Sequence, residues 1–216
     1  MNDYVGLALS FAYLGVVLLI AVKLEKQPYE LSRKFIHIMS ANWWFIASYT
    51  FKSPWLVSIV PLFFVIFNIV TFFLGWLPAL NRQLDGRNFG TIYYALSTLF
   101  LTYVSFQPGS SLLIGGVGLL VMGYGDGLAS LVGRKWGKHP FQIFQAKKSL
   151  EGSATMFVVS FMVLYAYLTF ATGSAALMLC LLVALVATLV EAISPWGLDN
   201  ILVPLITASV YFIYVL

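Results

Sequence analysis

Residues 175–189 read Ala-Ala-Leu-Met-Leu-Cys-Leu-Leu-Val-Ala-Leu-Val-Ala-Thr-Leu, and the fold class turns on how they are read. Polar side chains do not alternate with apolar ones here, as they must in a membrane β-barrel strand. The run extends over 174–193, enough helix to cross roughly 30 Å of hydrocarbon. Seven more apolar runs lie outward from it, near 4–22, 35–51, 54–77, 91–106, 111–133, 153–172 and 200–216, separated by Pro, Gly and charge. The pattern predicts an all-α, polytopic bundle of about eight transmembrane helices, with seven as the other admissible count. It forms one integral membrane domain over 1–216, with loops near 23–34, 78–90, 134–152 and 194–199.

Composition agrees. Of 216 residues, 61% are hydrophobic and 9% charged, against roughly a quarter charged in a soluble domain. A water-soluble fold is excluded, and so are disordered and collagen-like chains, which need polar tracts or a Gly-X-Y period. The one cysteine, Cys180, sits in an apolar run, so no disulfide framework or Cys-based zinc site is expected. The first run lacks a basic leader and a small-residue cleavage site, and is read as a retained first helix.

Basic residues accumulate on the cytoplasmic side of membrane proteins. Lys23, Lys26, Arg33 and Lys34 fall in the first loop, Arg82 and Arg87 in the third, and Arg134, Lys135, Lys138, Lys147 and Lys148 in the fifth. Only Lys52 lies on the opposite side. This asymmetry predicts an outside N-terminus. Asp126, eight residues or roughly 12 Å of helix before Arg134, then belongs to the cytoplasmic half, as do His37, Glu191 and Asp199.

The stretch Gly123-Tyr-Gly-Asp-Gly-Leu-Ala-Ser-Leu-Val-Gly-Arg-Lys-Trp-Gly-Lys138 carries the strongest chemical signal. An intramembrane carboxylate is costly unless partnered and usually faces a functional cavity. Asp126 is therefore a candidate to hold Mg2+ or take a hydroxyl proton, or else it is simply tied to a neighbouring Arg or His. Lys147-Lys-Ser-Leu-Glu-Gly152 offers cations and helix N-terminal N–H groups to an anion, although Lys-Lys also satisfies the positive-inside bias and Ser-Leu-Glu can merely cap a helix. Arg33-Lys-x-x-His37, Asp85-Gly-Arg-Asn-Phe-Gly-Thr91 and Glu191-x-x-Ser-Pro-Trp-Gly-Leu-Asp-Asn200 add further polar groups on the same side. Such a layout fits chemistry between a soluble polyanion and a lipid. A membrane carrier competes with it, but an internal repeat is not apparent. A nucleic-acid partner is not expected.

These motifs resemble those of the CTP-dependent polyprenol, dolichol, phytol and diacylglycerol kinases. The central signature is Gly125-Asp126 through Lys138 followed by Lys148-Ser-Leu-Glu-Gly-Ser153. Arg33-Lys-Phe-Ile-His37, Asn88-Phe-Gly-Thr-Ile-Tyr-Tyr94 and Glu191 to Pro204 match the flanking motifs in order. Phosphatidate cytidylyltransferases share part of this layout, but they end in a Pro-Gly-His-Gly-Gly segment with two close aspartates. This chain has Ser194-Pro-Trp-Gly-Leu-Asp199-Asn instead, which favours a kinase.

The resemblance implies transfer of the γ-phosphoryl group of CTP to the hydroxyl of a membrane lipid alcohol, isoprenoid or diacylglycerol, with Mg2+. It implies catalytic roles for Asp126 and Lys148, and metal contacts from Asp126, Glu151, Glu191 and Asp199. Nucleotide contacts are expected from Gly125, Gly127, Gly133, Arg134, Lys135 and Gly137. Lys138, Lys147, Ser149 and Gly152 continue that set, and Arg33, Lys34, His37 and Asn88 complete it.

Overall fold

The apolar runs fold as helices whose ends are set by the residues that flank them. The computed structural model describes residues 2–24, 29–75 and 89–216. Helix α1 spans Asp3–Lys23, α2 Tyr29–Thr50, α3 Pro54–Leu74 and α4 Gly90–Ser105. Next come α5, Leu112–Leu120, a π-helical segment, Val121–Asp126, and α6, Gly127–Trp136, which follow one another without a break as a single rod. Helices α7, Leu150–Thr172, α8, Leu177–Ile193, and α9, Asp199–Val215, complete the bundle.

Four of the described helix starts carry side-chain caps that accept the first unpaired N–H groups: Asn2 for α1, Ser53 for α3, Ser111 for α5 and Ser149 for α7. Gly75 and Gly173 close α3 and α7 at φ of 65° and 80°, a conformation that a side chain would strain. At one end of the bundle the Asp3 carboxylate accepts from the N–H groups of Lys52 and Ser53 at 2.9 and 3.1 Å. This ties the start of α1 to the turn between α2 and α3.

Among the described residues, four helical rods are long and apolar enough to cross a membrane: Asp3–Lys23, Pro54–Leu74, Leu112–Trp136 and Leu150–Thr172. Helices α8 and α9 are apolar but have 17 residues each, about 25 Å at 1.5 Å per residue. The rod Leu112–Trp136 is the central one, with 78% of its apolar window buried against 22–33% for the other three. It packs on α2, α4, α7 and α9. Around it Trp44, Met122, Val183 and Val203 are fully buried, while Leu19, Phe73, Phe170 and Ile213 are widely exposed. So much exposed apolar surface is the signature of a lipid-facing exterior.

The expected loop over 134–152 is largely structured. Helix α6 runs on to Trp136, and β1, Pro140–Ile143, pairs antiparallel with β2, Ala146–Ser149, placing Phe141 opposite Lys148. The expected all-helical chain thus carries one small hairpin. Its turn puts Phe144, where Gly or Asn is usual, at φ 52°, so the sequence offered no ordinary hairpin signal. Likewise α2 begins at Tyr29, so Arg33 and Lys34 ride on a helix and not in a loop.

Candidate active site

The π-helical segment Val121–Asp126 interrupts the central rod one residue before Gly127, and such bulges concentrate at functional sites. It delivers Asp126 into the bundle, 2% exposed. Lys34 Nζ donates to Asp126 Oδ2 at 2.6 Å. One helical turn further along α2, His37 Nε2 lies 3.1 Å from the same oxygen and 3.1 Å from the carbonyl of Met122. Two acceptors on Nε2 assign that nitrogen the proton in the neutral ring. The Tyr94 hydroxyl donates to the His37 carbonyl at 3.0 Å, and the two rings meet edge-on.

A second cluster is built from the other half of the chain. In β2, alternation turns Ala146 and Lys148 inward and leaves Lys147 exposed. Lys148 Nζ donates to Glu191 Oε1 near the end of α8 and to Asp199 Oδ2, 3.1 Å away, at the start of α9. Burial disfavours the Lys148 ammonium, but Asp199, Glu191 and Asp126 more than offset it and hold its pKa above the ordinary lysine value. Lys148 is therefore a permanent cation at working pH.

The turn between α8 and α9 aligns these groups. The N–H of Leu198 donates to the carbonyl of Pro195 at 3.0 Å, and Trp196 and Gly197 take φ of 52° and 82°, as in a type I′ turn. Pro204 has no N–H, so the helical partner of the Asn200 carbonyl is missing. Ser97 Oγ replaces it from α4 at 2.8 Å. The Asn200 side chain donates to the Gly197 carbonyl and to Asp199 Oδ1, at 3.1 and 3.0 Å.

These elements enclose a polar cavity of about 370 Å³. Arg33, Lys34, Arg134, Lys147 and Lys148 line it with cations, and Asp126, Glu191 and Asp199 with carboxylates. Gly133, Gly137, Ser149 and Gly152 form part of its wall. Gly133 and Gly152 let α6 and α7 meet, since a Cβ on Gly133 would stand 3.0 Å from Ser149 Oγ and one on Gly152 3.1 Å from the Ala129 carbonyl oxygen. Ser149 Oγ accepts from the Gly152 N–H at 3.1 Å, so it caps α7 while it lines the cavity.

One carboxylate oxygen each from Asp126, Glu191 and Asp199 lies within 4.8 Å of the others. Glu191 Oε2 and Asn200 Oδ1 are buried beside this cluster without a hydrogen-bond partner. Converging carboxylates with orphaned oxygens suit a hard, oxygen-seeking divalent cation.

Several expected contacts lie elsewhere. Glu151 is not in the acidic cluster: it pairs with His139, Oε1 to Nδ1 2.7 Å, and accepts from the His139 N–H at 3.3 Å. Gly125 and Gly127 face neighbouring helices and do not line the polar cavity, because Cβ atoms there would strike Ser160 Oγ at 2.5 Å and Ile38 Cγ1 at 2.6 Å. Lys135 lies 4.6 Å over the Trp136 ring, and Lys138 is exposed outside the cavity. His37 touches Asp126, not the polar cavity. Asn88 lies outside the described residues. Conversely, Trp196 lines the cavity without having been singled out, and Asn200, read only as a polar group of its motif, lines it as well. The Ser-Pro-Trp-Gly-Leu-Asp-Asn turn was the available signal for both.

No protein-family model and no solved structure matches the chain. Among curated proteins it is 34% identical over 212 residues to a phytol kinase of Synechocystis, covering 96% of this chain and 90% of that one. It is 31% identical to a probable chloroplastic phytol kinase of Triticum aestivum, over 85% of this chain and 67% of the relative. A CTP-dependent diacylglycerol kinase of Schizosaccharomyces pombe is 35% identical over 106 residues, 44% of this chain and 48% of its own. By its near full-length match to the first of these, the chain belongs to the phytol kinase family of membrane lipid kinases.

Proposed function

We propose that the protein transfers the γ-phosphoryl group of CTP to the hydroxyl of an isoprenoid alcohol such as phytol, in a bundle of eight membrane-crossing helices with its N-terminus outside and the site facing the cytoplasm. The observation that carries this reading is the polar cavity, where cations and buried carboxylates converge at one end of a bundle whose outer surface is apolar. In phosphoryl transfer the protein mainly positions the reactants and neutralises charge on the phosphoryl oxygens. Arg33, Arg134, Lys147 and Lys148 meet the triphosphate, and the half-exposed Trp196 offers its ring to the base.

Glu191 and Asp199 would hold Mg2+, which supplies charge neutralisation on the triphosphate when bound. The alcohol oxygen bonds to the γ-phosphorus as the bond to the β,γ-bridging oxygen breaks. CDP leaves, and the hydroxyl proton passes to Asp126, which Lys34 and His37 hold in place. The partial likeness to a diacylglycerol kinase makes diacylglycerol the second acceptor to test.

The purified chain is to be assayed with CTP and ATP in parallel against phytol, geranylgeraniol, a longer polyprenol and diacylglycerol, with Mg2+ and with chelator. Phosphorylation of isoprenoid alcohols that prefers CTP and stops with chelator is expected. Turnover of diacylglycerol alone, or preference for ATP, contradicts the proposal.

A further inference from the structure

A second cavity, of about 80 Å³, lies between α1, α2, α3 and α4, and no role assigned so far uses it. Its wall is almost wholly hydrocarbon, including Leu14 and Val17 of α1, Trp43 of α2, Val60 and Phe64 of α3 and Ala95 of α4. Arg33 and Asn200 line both this cavity and the polar one. His37, hydrogen-bonded to Asp126, also lines the apolar space. The two cavities therefore adjoin at Arg33 and Asn200, and His37 links the apolar wall to Asp126.

We infer that this apolar cavity holds the part of the acceptor's hydrocarbon tail nearest the hydroxyl, with the indole of Trp43 as its floor. This rests on the lipid-alcohol kinase reading above and deepens it by assigning the tail a place. A reacting hydroxyl must lie within reach of both the phosphates and the proton acceptor, so its first carbons must sit where the polar wall ends. Only this cavity among those described satisfies that and is apolar.

Depth is limited. From His37 to Trp43 is six residues of α2, roughly 9 Å of helix rise, and the volume accepts only a short length of chain. Trp43 is 2% exposed and its Nε1 donates to Ser10 Oγ at 2.8 Å, which fixes the ring. Leu18, Phe64 and Phe67 are only half-buried, so the rest of the tail has an exit between α1 and α3 toward lipid.

The test fills the cavity. Ala95→Leu, in the full chain, should raise KM for the isoprenoid alcohol about tenfold or more while KM for CTP stays unchanged. An active variant with unaltered KM for the alcohol overturns the inference. Because the larger side chain can also prevent folding, the wild-type chain is to be labelled with a geranylgeraniol analogue carrying a diazirine on its first isoprene unit. Adducts on residues 60–68 and 91–98, suppressed by excess phytol, support the assignment. Adducts confined to α7 and α8, or none that phytol suppresses, overturn it. A wild-type chain that phosphorylates no alcohol sinks the kinase reading, and the photolabel still decides the cavity.

Discussion

Asp126 and Lys34 have side chains only 3% exposed, and each is the other's compensation. Removing one partner of such a pair leaves a buried charge unmatched, at about 3–5 kcal/mol. Asp126→Asn and Lys34→Met should each lower the unfolding temperature in detergent and abolish phosphoryl transfer. The double variant Lys34→Met with Asp126→Leu should recover most of the stability and none of the activity, which separates the structural role from the chemical one. A double variant as unstable as either single one would show that the pair is not the unit. Lys148 differs, because it faces Glu191 and Asp199 together. In Lys148→Met these two carboxylates repel each other, so added Mg2+ should raise the unfolding temperature more than it does in the wild type. Equal Mg2+ responses would remove Glu191 and Asp199 from the metal site.

At the scale of elements, the central rod explains which parts of the site were legible in the sequence. An aspartate among glycines in an apolar run marks a site on hydration cost alone, and Asp126 lies where that reasoning puts it. The π-helical turn that aims it is a backbone register change with no side-chain signature, so its consequence for Gly125 and Gly127 was unreadable. Those glycines let α7 and α2 approach the rod. Gly127→Val should therefore push against Ile38 and destabilise by about 1–3 kcal/mol, read as a lower unfolding temperature with KM for CTP in the surviving fraction unchanged. A raised KM at full stability would restore Gly127 to the nucleotide site. Lys147-Lys148 was ambiguous for a related reason. Read as a loop before a helix, the two residues are equivalent, and only the strand alternation of the hairpin sends Lys148 in. Glu151 went astray because His139, twelve residues earlier, returns beside it through the same hairpin.

For the whole molecule, scarce charge is sorted by position. Asp3 meets the backbone of Lys52 and Ser53 at one end of the bundle, whereas Arg33, Lys34, Asp126, Lys148, Glu191 and Asp199 meet around the polar cavity. In the proposed topology, which rests on the positive-inside bias, the cavity end faces the cytoplasm. With Cys180 replaced by Ala, a cysteine at Gln142 in the hairpin should react with an impermeant maleimide only from the cytoplasmic side, and one at Ser110 only from outside. The reverse pattern would invert the topology.

Transfer of the terminal phosphoryl group to a lipid hydroxyl is the central claim, and the fate of two labels tests it most directly. The purified chain is to be given phytol, Mg2+ and CTP labelled at either the α or the γ phosphorus. The account predicts γ label in the lipid phase as a phosphate monoester and α label retained in water as CDP. Label from the α phosphorus in lipid, with γ label released as pyrophosphate, would contradict it, and so would the absence of label from lipid in both reactions.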